Sequence, residues 1–206
     1  MKQPKTPDFE RRAYTVNGMQ VEARKTGDSE EKRIVGHAAV FNTDTDIAGL
    51  FFERVAPGAF TRAIKEDDVR SLFNHDANFV LGRTKSGTLI LREDETGLLT
   101  ETIPPDTQFA RDLQISIDRG DISQMSFGFR VKGEAWEERA DGTWLRTITD
   151  VELFDISPVT FPAYPTTDVG LRSLEQYRKA QTPPTGTEEQ PTIPRDRIMR
   201  ARVNGY

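Results

Sequence analysis

Acid–base chemistry near neutral pH draws first on histidine, whose ordinary pKa lies close to the working pH. The sequence holds two, His37 and His75, and no cysteine. His37 stands in the apolar run Ile34-Val-Gly-His-Ala-Ala-Val-Phe41, where a packed or hydrogen-bonded strand histidine is the favoured reading. His75 follows the apolar stretch Val69–Phe73 and lies between Asn74 and Asp76, at the expected end of a strand, where sites are usually built. A serine hydroxyl is a weak nucleophile until such a base removes its proton. Ser126 differs from the other serines in its setting, Met125-Ser-Phe-Gly-Phe129. Period-two alternation puts Met125, Phe127, Phe129 and Val131 on one anchoring face and Ser126 with Gly128 on the other. Gly128 is expected to leave room there for a substrate backbone. The same pattern also describes an ordinary solvent-facing strand serine.

A third group should orient the imidazole and stabilise its charged form. Asp150, Glu152 and Asp155 are the acids of one predicted strand. Asp150 and Glu152 share a face. Strict alternation puts Asp155 on the other, with Val151 and Leu153, where a carboxylate is costly unless hydrogen-bonded. Asp155 is therefore either a paired structural acid or a functional one. Other chemistries lack their residues. The absence of cysteine excludes disulfides, thiolate zinc sites and a cysteine nucleophile. There is no HExxH-like spacing and no phosphate-binding glycine loop. Acidic clusters such as Asp44 with Asp46, and Glu93-Asp94-Glu95, read as solvated loops. No metal and no cofactor is expected.

The elements that must position these residues are mostly short strands. Strand–turn–strand is expected over Ala13 to Lys25 around Asn17-Gly18, with further strands at 34–41, 50–55, 69–73, 88–91, 98–103, 125–131 and 151–156. Asp141-Gly142 marks a hairpin. Helices are expected at 59–66, 107–119 and 169–180; the second has Thr107 or Asp106 as its cap, Phe109, Ala110, Leu113 and Ile117 as its apolar stripe, and Gly120 at its stop. The fold class is mainly β with α (α+β), a small barrel or sandwich decorated by helices. Residues 1–12 read as a flexible N-terminal arm, 13–180 as the folded domain, and 181–206 as a disordered Pro/Thr/Glu-rich linker followed by a basic tail with four arginines against one aspartate. The net charge of −5 and pI near 5.2 oppose a nucleic-acid partner. No apolar run approaches the roughly 20 residues of a membrane span, and the N-terminus has no apolar core of a signal peptide; a soluble, intracellular protein is expected.

Six short motifs occur in order: Gly36-His-Ala-Ala-Val-Phe41, Phe52-Glu-Arg-Val-Ala-Pro-Gly-Ala-Phe60, Leu72-Phe-Asn-His-Asp76, Val80-Leu-Gly-Arg-Thr84, Ser123-Gln-Met-Ser-Phe-Gly-Phe129, and Leu153-Phe-Asp-Ile-Ser157 with Thr160-Phe-Pro-Ala-Tyr-Pro165. Together, over about Arg33 to Pro165, they resemble the caudoviral prohead protease family. The resemblance implies a fold like the herpesvirus assemblins, an antiparallel β-barrel surrounded by a few helices. It also implies His75 and Ser126 as the catalytic pair. Assemblins use a second histidine, placed after the serine, as the third member; neither histidine here lies there. The matching strand starts at Asp150, which is the expected third member, with Asp155 in the family's Leu-x-acid-x-Ser pattern as the alternative. The assemblin arginine pair has no counterpart, which leaves the oxyanion to backbone N–H groups near Ser126 or to an arginine.

The implied function is that of a serine endopeptidase that cleaves capsid scaffolding segments, and itself, during phage procapsid maturation. It would act in the host cytoplasm, inside the procapsid. The implied partners are the major capsid protein with its scaffolding segment and, by analogy with assemblins, a second copy in a homodimer. No cofactor, nucleic acid or membrane is implied. The competing readings are a non-catalytic capsid assembly or scaffold protein with the same barrel, and another serine hydrolase such as an esterase. Against the latter stands the missing G-x-S-x-G elbow.

Overall fold

The computed structural model describes residues 9–14, 18–27, 29–161, 172 and 174–178. Its elements in chain order are β1 (Glu10–Tyr14), β2 (Gln20–Thr26), β3 (Ser29–Val40), β4 (Thr45–Ile47), β5 (Phe51–Val55), α1 (Thr61–Glu66), β6 (Arg70–Phe73), β7 (Asp76–Arg83), β8 (Leu89–Glu93), β9 (Gly97–Thr102), α2 (Gln108–Asp118), β10 (Gln124–Glu138) and β11 (Trp144–Val159). The mainly-β class with few helices is as expected. The strands form two sheets. One runs β1-β10-β11-β5-β4, with β6 and β7 attached to the far part of β11; the other runs β2-β3-β9-β8. Neither closes on itself, so the hydrogen-bond pairing does not make the barrel that the assemblin resemblance implied: β1 and β4 end one sheet, β2 and β8 the other.

The two sheets share one core. Ala38, Ala39, Leu89, Leu91 and Leu98 from the smaller sheet meet Phe127, Phe129, Ile148, Val151, Leu153 and Ile156 from the larger. The alternation of Met125, Phe127 and Phe129 is what commits β10 to this face; all three are buried. Helix α2 follows its sequence signals: Thr107 Oγ1 accepts from the Ala110 N–H, Ala110, Leu113 and Ile117 are buried, and Gly120 stops the helix at φ 81°. Residues 172 and 174–178 are helical, within the helix expected at 169–180. The linker and tail at 181–206 lie outside the described residues.

The N-terminal region differs from expectation. β1 and β2 do not pair with each other. β1 pairs with β10, and β2 with β3. Glu10, Arg11 and Arg12, expected to belong to a loose arm, are strand residues. The cause is a buried ionic cluster. Arg12 binds Glu10 at 2.6 Å and Glu53 at 2.5 Å, while Arg146 binds Glu10 and Glu53 at 2.9 Å each and Glu134 at 2.6 Å. Glu10, Arg12, Glu53 and Arg146 are each at most 3% exposed. A buried charge is tolerated only when paired in this way, so β1 cannot leave the sheet without taking Arg12 from Glu53 and Glu10 from Arg146.

Burial works against ionisation of Glu10, but Arg146 and Arg12 outweigh it and hold its carboxyl below the ordinary value of 4.5. A depressed carboxyl contributes stability that is present above its unfolded pKa and is lost as pH falls through the folded one. Stability measured by thermal melts should therefore decline as pH drops below about 4.5. Glu10→Gln should lower stability at pH 7 by on the order of 3 kcal/mol, because it leaves buried guanidinium charge uncompensated, and should flatten the acid limb.

Candidate active site

His75 sits in the two-residue loop of the β6–β7 hairpin, where Phe73 faces Asp76. Asn74 and His75 have φ of 53° and 58°. Two successive positive values are the sign pattern of a type I′ hairpin turn. Asparagine adopts this region readily; for histidine it costs about 1–3 kcal/mol and persists only where surrounding contacts impose it. The contacts come from the end of β11 and the residue after it. Asn74 N donates to the Pro158 carbonyl at 3.0 Å, Asn74 Nδ2 donates to Thr160 Oγ1 at 3.1 Å, and Thr160 N donates to Asn74 Oδ1 at 2.8 Å. The His75 N–H donates to Ser157 Oγ at 3.2 Å.

So held, the imidazole bridges two strands. His75 Nε2 lies 2.7 Å from Ser126 Oγ on β10, and Nδ1 lies 2.5 Å from Asp155 Oδ2 on β11. A carboxylate can only accept, so the proton sits on Nδ1, and Nε2 is free to accept from the Ser126 hydroxyl. Ser157 Oγ donates to the same Asp155 oxygen at 2.9 Å. Ser126 and Ser157 are fully buried, and the His75 and Asp155 side chains are only 5% and 9% exposed. The arrangement can pass a proton from a hydroxyl to an imidazole whose positive charge is then met by a fixed carboxylate.

Strict alternation fails at Asp155 for a definable reason. Gly128 pairs with Asp155, but Phe129 pairs with Leu153, so Phe154 is an extra residue in β11. This bulge reverses the facing of the strand beyond it. Leu153 and Ile156 both enter the core, while Asp155 and Ser157 fall opposite Gly128 and Ser126. Asp150, the expected third member, is elsewhere. It faces Gly133 and binds Arg62 Nε at 3.2 Å, with 38% of its side chain exposed. Its setting is structural: β5 leaves β11 at Ile148 and β6 joins it at Asp155. Across that gap Arg62 donates to the Val151 carbonyl at 2.6 Å and Asp67 accepts from the Leu153 N–H at 2.7 Å. Arg62 thus replaces a missing strand, and Asp150 steadies Arg62.

His37 is away from the site, bound to Asp94 at 2.8 Å as a strand histidine. Ser157 is a site residue that the sequence reasoning misses, although the i, i+2 spacing in Asp155-Ile-Ser157 is a signal that the two share a face. Among the described residues no three His, Asp or Glu side chains converge on a position that could hold a metal. The space beside Gly128 is not open to a substrate. A Cβ there would stand 2.4 Å from Asp155 Oδ1 and 2.7 Å from Phe9 Cζ. Gly128→Ala should therefore push the carboxylate off His75 and cost about 1–3 kcal/mol in stability; a crystal structure of the variant and its melting curve check this.

A family model described as caudovirus prohead serine protease matches residues 18–180. Among solved structures, the bacteriophage T4 capsid assembly protease gp21 is similar, with a TM-score of 0.47 and 10% identity, over 75% of this chain and 98% of that one. No curated protein matches the sequence. The family match extends over most of the 206 residues, and the chain belongs to the caudovirus prohead serine proteases.

Proposed function

We propose that the chain is a serine endopeptidase in which Ser126 is the nucleophile, His75 the general base and acid, and Asp155 the acid that orients His75. The observation that carries this reading is the continuous hydrogen-bonded line Ser126 Oγ–His75 Nε2 and His75 Nδ1–Asp155 Oδ2. His75 takes the Ser126 proton as Oγ attacks a peptide carbonyl, then returns it to the leaving amine. Water activated by the same imidazole hydrolyses the acyl-enzyme. Ser157 holds both the Asp155 carboxylate and the His75 backbone, so it fixes the imidazole and its carboxylate relative to each other. Because Ser126 is fully buried, a substrate carbonyl reaches it only after neighbouring chain moves aside.

The family points to capsid maturation as the process. The substrates in this reading are extended scaffolding segments of the capsid protein, and segments of the chain itself, inside the procapsid. Co-expression with the capsid protein, followed by mass spectrometry of the products, tests it. Ser126→Ala and His75→Ala should abolish processing. Asp155→Asn should slow it by roughly 10⁴-fold, the scale seen when a triad acid loses its charge. Asp150→Asn should stay within a few-fold of the parent, since a half-exposed ion pair is worth about 0–1 kcal/mol. Normal processing by Ser126→Ala would leave the non-catalytic assembly reading in its place.

A further inference from the structure

We infer that Phe9 is a positioning residue for the Asp155–His75 pair, an inference that rests on the proteolytic reading of that site. Phe9 lies outside residues 18–180, the stretch the family model matches. The chain nevertheless brings it to the relay. β1 runs antiparallel to β10 with Ala13 opposite Ser126 and Arg11 opposite Gly128, and the Phe9 ring, two residues before Arg11, lies against the same glycine. The point where a Gly128 Cβ would stand is 2.7 Å from Phe9 Cζ, 3.2 Å from Phe9 Cε2 and 2.4 Å from Asp155 Oδ1. Ring edge and carboxylate oxygen therefore both crowd the place where a side chain of residue 128 would stand.

Asp155 spends a single oxygen on its hydrogen bonds. Oδ2 accepts from both His75 and Ser157, and among the described residues Oδ1 has no N–H or O–H partner. The edge of an aromatic ring is the positive part of its quadrupole, so a ring edge near Oδ1 is a weakly favourable neighbour, and the Asp155 side chain is only 9% exposed. A hydrogen bond in such a dry setting is stronger than one that competes with solvent. The ring is itself held. It packs on Phe154 at 5.5 Å, and the Arg11 guanidinium lies 5.2 Å from its centroid. Phe154 is the bulged residue of β11, so one irregularity turns Asp155 toward His75 and supplies the surface that seats Phe9. The buried cluster of Glu10 and Arg12 fixes the strand behind it.

The test uses the full chain and two readouts. The first is the rate at which a fluorophosphonate probe labels Ser126, resolved into a maximal rate and a half-saturating concentration. The second is the His75 Nδ1 proton in the ¹H NMR spectrum, assigned against His37→Gln because the chain holds two histidines. Phe9→Ala should slow the maximal labelling rate roughly 10- to 100-fold, as expected when a catalytic group is loosened, with the half-saturating concentration unchanged. It should also broaden the Nδ1 proton through solvent exchange. Phe9→Leu, which keeps the cover, should restore both. Phe9→Val gives the same reading should Phe9→Ala not fold. Wild-type labelling and an intact Nδ1 proton in the truncated variant, with or without a lower melting temperature, overturn the inference. A wild-type chain that never labels, while its Nδ1 proton still responds to Phe9→Ala, sinks the nucleophile reading and leaves the positioning role standing.

Discussion

The hydrogen bond between His75 and Asp155 joins a hairpin turn to a strand from a distant part of the chain, and most of the local structure can be traced to keeping it. The turn holds a histidine at positive φ, a conformation the residue does not favour on its own. Ser157, Pro158 and Thr160 bind the turn through backbone and side-chain groups. The strand contributes its acid only because Phe154 is inserted as a bulge. Without that extra residue Asp155 would face the core, where a carboxylate is costly. Turn and bulge therefore depend on each other: the imidazole gives the acid a partner, and the acid gives the turn a reason to persist.

The surrounding fold divides into parts that support this contact and parts that frame it. The β10–β11 hairpin carries the serine and the acid in adjacent register, so their separation is set by sheet geometry and not by loop conformation. Placing interacting side chains on strands in this way limits their drift. Helix α1 and the residues after it bridge the interval in which one edge of β11 has no strand beside it, with Arg62 binding the Val151 carbonyl and Asp67 the Leu153 N–H. The buried cluster of Glu10, Arg12, Glu53 and Arg146 then ties β1 across the same sheet. It makes the N-terminal strand part of the folded unit.

Much of this is legible in the residues. With two histidines to choose from, composition narrows the imidazole that could face a serine to His37 or His75, and the alternation around Ser126 shows correctly which residues anchor β10. Helix α2 announces its start and stop. The misreadings share one cause: local patterns do not report irregular pairing. Period-two counting places Asp155 on the core face, and a single bulge reverses that; the preference for Asp150 comes from the strand matched in the resemblance. Gly128 reads as open space, but its missing side chain is filled by a carboxylate and a ring. Residues 10–12 look like a polar arm because their charges are conspicuous and their partners, Glu53 and Arg146, lie far along the chain. Closure into a barrel comes from the resemblance and not from the strands, whose pairing leaves both sheets open.

A proton held between His75 and Asp155 leaves Nε2 as the acceptor for the Ser126 hydroxyl. The ¹⁵N chemical shifts of the His75 ring near pH 7 report the tautomer directly, and two histidines keep the spectrum simple. The neutral ring should show a protonated Nδ1 and an unprotonated Nε2, with Asp155→Asn disturbing that preference and Asp150→Asn leaving it intact. A neutral His75 carrying its proton on Nε2, or one indifferent to Asp155, would contradict it.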